Sequence, residues 1–77
     1  MKNMFETVRS MIAKQLKVDE STITRDSRLI DDLHADSANI MVMIMDLEDQ
    51  FGIVVEDDQI MKMKTVGNVV DYIESHQ

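Results

Sequence analysis

Seventy-seven residues with no cysteine, no proline and a net charge of −7, from 15 acidic against 8 basic side chains, point to a single acidic domain spanning residues 1–77. That charge repels nucleic acid phosphates and anionic bilayers, so no nucleic acid partner is expected and basic proteins are favoured. The lack of cysteine excludes disulfides, thiolate-bound zinc and a nucleophilic thiol of the chain's own. No apolar run approaches the ~20 residues of a bilayer span, and MKNMFETVRS carries no apolar stretch before a cleavage site. No membrane insertion and a cytoplasmic location are therefore expected. A core of this size leaves only ~3–5 kcal/mol of net stability, with eight methionines as adaptable fillers.

The chain opens on an amphipathic helix over residues 3–16, where Phe5, Val8, Ile12 and Leu16 recur at spacings of three and four beside Met4 and Met11. Lys14 and Lys17 lie near its C-terminal end, where cations suit the macrodipole. Residues 17–35 lose the period but keep Val18, Ile23, Leu29, Ile30 and Leu33 among Asp, Ser and Thr. This predicts a long loop pinned by its own apolar side chains, a length of connection that is more often functional than not. A second helix is predicted from Asp36, a good N-cap, to Gly52, suited to the left-handed position past a helix end. At 100° per residue Ile40, Met43, Ile44, Leu47 and Phe51 share its core face. The segment FGIVVEDD could form a short strand at Ile53–Val55, but no second strand exists to pair with it, so a packed loop is expected. Residues 56–61 fit a short acidic helix, and Thr65 caps a last one through Ser75 on the stripe Val66, Val69, Val70 and Ile73. The predicted fold is all-α: a small four-helix bundle, three main helices plus one short helix, with a long loop between helices 1 and 2.

Chemistry concentrates around LHADSANIMVMIM, residues 33–45. Ala38, Met41, Val42 and Met45 fall on a second face of the helix, shared with Ser37 and Glu48. A domain this small cannot bury both faces. Ser37 beside Asp36 fits simple capping. Nucleophilic catalysis would need a base, and His34 stands three residues away, but without a glycine-rich oxyanion loop. The calcium-loop register DLEDQFGIVVED fails, lacking the acid at its fifth position, the turn glycine and the final glutamate. Asp31, Asp32, His34 and Asp36 could hold a divalent ion loosely but read better as a solvated acidic loop, and no dedicated metal site is expected. A further possibility is covalent attachment: at the first helical position a phosphate ester on Ser37 meets free N–H groups and the positive end of the macrodipole.

LHADSANIMVMIMDLEDQFGI resembles the signature of acyl carrier proteins, a Leu-Gly-x-Asp-Ser-Leu start, a helix, then Leu-Glu-x-x-Phe. The resemblance extends to the Phe, Val and Ile of the first helix, DDL before the serine, IVVEDD, and MKTVGNVVDYIE near the end. It implies a carrier and not an enzyme. Ser37 would receive 4'-phosphopantetheine from coenzyme A through a separate phosphopantetheinyl transferase, and acyl chains would ride as thioesters on the arm's thiol. Asp36 would cap the helix and contact the transferase's metal or a basic partner residue. Partners implied are the acyl-transfer, condensing and reducing enzymes of fatty acid or related synthesis, docking through basic patches onto a monomeric carrier.

Four positions depart from the family pattern: His34 replaces its glycine, Ala38 its leucine, Asn39 a common acid and Val42 a partner-binding glutamate. The expected partner face is thus more apolar than usual, built on Ala38, Met41, Val42 and Met45, with Glu48, Asp49, Glu56, Asp57 and Asp58 supplying charge. An acyl chain is expected to slip between the second helix and its neighbours, against Ile44, Leu47 and Ile53 or others of the core. A polyketide, peptidyl or D-alanyl carrier is the nearest rival, although Leu33-His34-Ala35-Asp36 does not match the Gly-Gly-[His or Asp] start of peptidyl carriers. A helical interaction module with no modification is the rival from another class.

Overall fold

The computed structural model describes residues 3–76. Helix α1 spans Met4–Leu16, α2 Ser37–Phe51, α3 Asp57–Ile60 and α4 Val66–Ser75. The three long helices and the short one fall within a residue or two of the sequence expectation because each carries its own stop signals. Asn3 caps α1 by accepting from the Glu6 N–H at 2.8 Å, and Lys17 ends it in the left-handed region at φ 57. Gly52 ends α2 in the same region, at φ 64. Helix α1 packs against both α2 and α4. Val8 and Ile12 of α1 are wholly buried, against Met43, Ile44 and Leu47 of the second helix and Val66, Val69, Val70 and Ile73 of the last.

The long connection is not structureless. A 3₁₀ turn at Glu20–Thr22 opens where Asp19 accepts from the Ser21 N–H at 3.0 Å. Ile23, Leu29 and Leu33 are buried and Val18 packs against the core, as a pinned loop requires. Ile30 departs from that expectation. It is 59% exposed, because the turn that sends Leu29 and Leu33 inward leaves it on the outside.

Backbone bonds then tie this loop to the start of α4. Val66 N–H donates to the Ser27 carbonyl at 3.0 Å, Gly67 N–H to the Arg25 carbonyl at 2.8 Å and Leu29 N–H to the Lys64 carbonyl at 2.9 Å. Two of the helix's unpaired terminal donors are thereby satisfied by the crossover loop. A Cβ on Gly67 would lie 3.0 Å from the Arg25 carbonyl oxygen, so a glycine permits the close approach.

Residues 53–55 form a packed loop. Ile53 and Val55 point into the core and Val54 out, as in a strand, yet the residue pairs with no strand among the described residues. Its backbone is held by side chains: Glu48 Oε2 accepts from the Val55 N–H at 3.0 Å, and the Tyr72 hydroxyl donates to the Val54 carbonyl at 3.0 Å. The methionines divide by position. Met43 and Met63 fill the core, whereas Met41, Met45 and Met61 are exposed and fill nothing; Met1 lies outside the described residues.

Candidate functional site

The site is built from a helix end. Asp36, extended at ψ −179, accepts from the Asn39 N–H at 2.7 Å, and Asn39 Oδ1 accepts from the Asp36 N–H at 3.3 Å. This reciprocal capping box fixes where α2 begins. Ile40 N–H is satisfied by the Asp36 carbonyl at 3.0 Å. The N–H groups of Ser37 and Ala38 have no acceptor among the described residues, which leaves the positive end of the helix open beside an exposed Ser37. Asn39, where an acid would stand in the family pattern, is therefore occupied in holding Asp36.

The approach to the serine is rigidly held. Leu33 N–H donates to the Arg28 carbonyl at 3.0 Å, His34 N–H to the Ile30 carbonyl at 3.1 Å and Ala35 N–H to the Leu29 carbonyl at 2.9 Å. His34 itself adopts φ 60. Asp32 accepts from the Arg28 N–H at 2.8 Å and Asp31 pairs with the Arg28 guanidinium at 3.3 Å. With Asp36 engaged as a cap, these acids are spent on the loop itself, and no three potential metal ligands converge among the described residues. No hydrogen bond joins His34 to Ser37 among the described residues, so the contact that a serine nucleophile needs with its base is not formed.

Ser37 stands at the lip of an open-sided cleft of about 790 Å³ between the crossover loop, α2 and the α3–α4 region. Leu29, Ile40, Ile60 and Met63 supply its apolar walls, and Arg28, Lys64, Thr65 and Asn68 its polar end. The exposed Ile30, Met41 and Met61 rim the mouth. Of the core residues expected along the acyl-chain path, Ile44, Leu47 and Ile53 are buried among the helices, at 2%, 1% and 9% exposure, and do not line the cleft, whereas Leu29 and Met63 of the same core do. Sequence spacing places Ser37 and Met41 on one face but carries no signal for Arg28, Ile60, Lys64 or Asn68. They reach the cleft only through the bonds between the loop and α4.

On the rest of α2, Ala38, Met41, Val42 and Met45 are exposed. Of the acids expected beside them, Glu48 is half-buried and holds the Val55 amide. Asp49 borders a separate groove with Lys14 and Met11 of α1. Glu56 and Asp57 are exposed where α3 begins, and Glu56 makes no capping bond with its side chain.

Comparison with known proteins agrees with this geometry. The family described as phosphopantetheine attachment site matches residues 6–73. The acyl carrier protein of Thermotoga maritima is 46% identical over 71 residues, 92% of this chain and 88% of that one. The acyl carrier protein of Exiguobacterium sibiricum is 52% identical over 68 residues, covering 88% and 86%. The structure of the acyl carrier protein from Enterococcus faecalis superposes with a TM-score of 0.83 at 34% identity, covering 96% of this chain and 94% of that one. The chain therefore belongs to the phosphopantetheine-bearing acyl carrier protein family.

Proposed function

We propose that Ser37 is the residue that carries the 4'-phosphopantetheine arm, and that acyl groups held on it are delivered to the enzymes of fatty acid synthesis. The observation that carries this reading is the exposed Ser37 at the open N-terminus of α2, on the lip of an apolar cleft. The residues present suit the group. A phosphodiester on Ser37 Oγ would meet the free N–H groups of Ser37 and Ala38, and the arm could run over Met41 or turn into the cleft. Once attached, the arm supplies the thiol that this cysteine-free chain lacks.

The chain's own residues then position and present; they do not catalyse. Asp36 holds the helix end and offers its second carboxylate oxygen to the metal or a basic residue of the transferase. Ala38, Met41, Val42 and Met45 form an apolar docking face, flanked by Glu48, Asp49, Glu56 and Asp57 as attractors for basic patches on acyl-transfer, condensing and reducing enzymes. This reading assigns the chain a monomeric, non-enzymatic role in the cytoplasm. In support, no helix among the described residues is long and apolar enough to cross a membrane.

Incubation with coenzyme A, Mg²⁺ and a phosphopantetheinyl transferase, followed by intact mass measurement, tests the assignment. The expected result is a gain of one phosphopantetheinyl group that Ser37→Ala abolishes. An unchanged mass, or a gain that survives the substitution, would overturn it.

A further inference from the structure

The polar end of the cleft beside Ser37 holds hydrogen-bond donors that the fold leaves unpaired. Asn68 Oδ1 accepts from both the Lys64 and the Thr65 N–H, each at 3.1 Å, which fixes the amide's orientation and leaves its Nδ2 hydrogens free. Thr65 Oγ1 accepts from the Asn68 N–H at 3.1 Å, so its hydroxyl proton remains to be given. The Lys64 carbonyl is taken by the Leu29 N–H at 2.9 Å, and the Arg28 carbonyl by the Asp32 and Leu33 N–H groups, both at 3.0 Å. The Lys64 ammonium has no ion-pair partner among the described residues. Arg28 spends one nitrogen on Asp31 at 3.3 Å and keeps other donors. Among the described residues Asp31 is the one carboxylate in the lining of the cleft, and its Oδ2 is engaged by that arginine.

A plain alkyl chain lying across this end would strip water from Lys64, Thr65 and Asn68 and return nothing. An occupant with oxygen acceptors would pair with them while its hydrocarbon part packs on Leu29, Ile40, Ile60 and Met63. We infer that the cleft selects tethered acyl groups bearing oxygen acceptors, an oxo group or a terminal carboxylate, over alkyl groups of the same length. The inference rests on Ser37 being the tether. Helix ends alone do not produce it: the selectivity comes from the pairing within the Thr65–Asn68 box, which leaves the Asn68 Nδ2 and Thr65 hydroxyl hydrogens unpaired beside the Lys64 and Arg28 cations.

The test loads the full chain, through the transferase, from octanoyl-, 3-oxooctanoyl- or octanedioyl-coenzyme A, with adenosine 3',5'-bisphosphate as the leaving group and the unacylated arm from coenzyme A itself as the reference. Loading is verified by intact mass. The expected result is that the 3-oxo and dicarboxylic forms move the Asn68 side-chain amide resonances and melt about 4–8 °C above the octanoyl form. The two forms separate neutral from anionic acceptors: Lys64→Met should abolish the advantage of the carboxylate more completely than that of the oxo group. Arg28→Met serves as a second variant, since neither long side chain holds the backbone, and melting curves report whether each variant is folded. An octanoyl form equal to the other two would overturn the inference, as would resonances already fully shifted by the bare arm, which would assign the donors to the arm instead. Absence of any mass gain would overturn the Ser37 tether itself, and is distinguishable from loading without selectivity.

Discussion

His34 occupies the left-handed region at φ 60, three residues before Ser37, where a β-carbon crowds the following carbonyl. The conformation is enforced from both sides, since its own N–H is bonded to the Ile30 carbonyl and the next N–H to the Leu29 carbonyl. Relief of the left-handed penalty, about 1–2 kcal/mol, exceeds the extra unfolded-state freedom of glycine, about 0.5–1 kcal/mol. His34→Gly should therefore raise stability by about 0.5–1 kcal/mol in urea denaturation. A drop would reveal that the imidazole itself contributes a contact worth more than the strain. Ser37 illustrates what a residue's neighbours in sequence can tell. Its place at a helix start and the exposure of Met41 beside it follow from local capping and a 3.6-residue period, and both were legible. That Glu48 would be diverted to the Val55 amide was not, because the bond depends on how the chain turns after Gly52.

The capping box at α2 joins stability to function within one element. Asp36→Ala removes the acceptor of the Asn39 N–H and should cost about 1 kcal/mol, read as a lower urea midpoint. Asn caps as well as Asp, so Asp36→Asn should keep the helix while removing the charge that is proposed to meet the transferase. Stability near that of the parent with a slower modification rate is the expected pair of results; an unchanged rate would reduce Asp36 to a cap alone. The 3₁₀ turn at Glu20–Thr22 should depend on pH by a similar device. The Ser21 N–H, and then its hydroxyl, hold the Asp19 carboxyl below its ordinary value of 3.8. A depressed carboxylate contributes its stabilisation in full above the ordinary value, and loses it as pH falls through the lower folded one. The Ser21 amide resonance should accordingly titrate with a midpoint below pH 3.8, and Asp19→Asn should remove that titration. Helices of this kind were legible because caps and stripes are written within a dozen residues. The cleft was not, since Arg28, Lys64 and Asn68 meet only when the crossover loop bonds to the start of α4.

Charge acts at the scale of the whole molecule, whose dimensions are 31 × 26 × 19 Å. At 0.01 M salt the Debye length is about 30 Å, so each of the 15 acidic groups repels the others across the entire fold. At 0.15 M it is about 8 Å, and only near neighbours interact. Screening also weakens attractive pairs, so the sign depends on what those pairs contribute. The ion pairs among the described residues, Arg9–Glu20, Arg25–Asp71 and Arg28–Asp31, have side chains 30–68% exposed, and such surface pairs supply little. The first is weaker still: Arg9 Nε lies 4.0 Å from the Glu20 carboxylate and makes no hydrogen bond. The long-range repulsion of a net charge of −7 therefore dominates the balance. The melting temperature should rise between 0.01 and 0.15 M NaCl and level off once the Debye length is shorter than the spacing between surface acids. A melting temperature that falls with salt would show that local pairs, not the overall charge, govern the stability of this carrier.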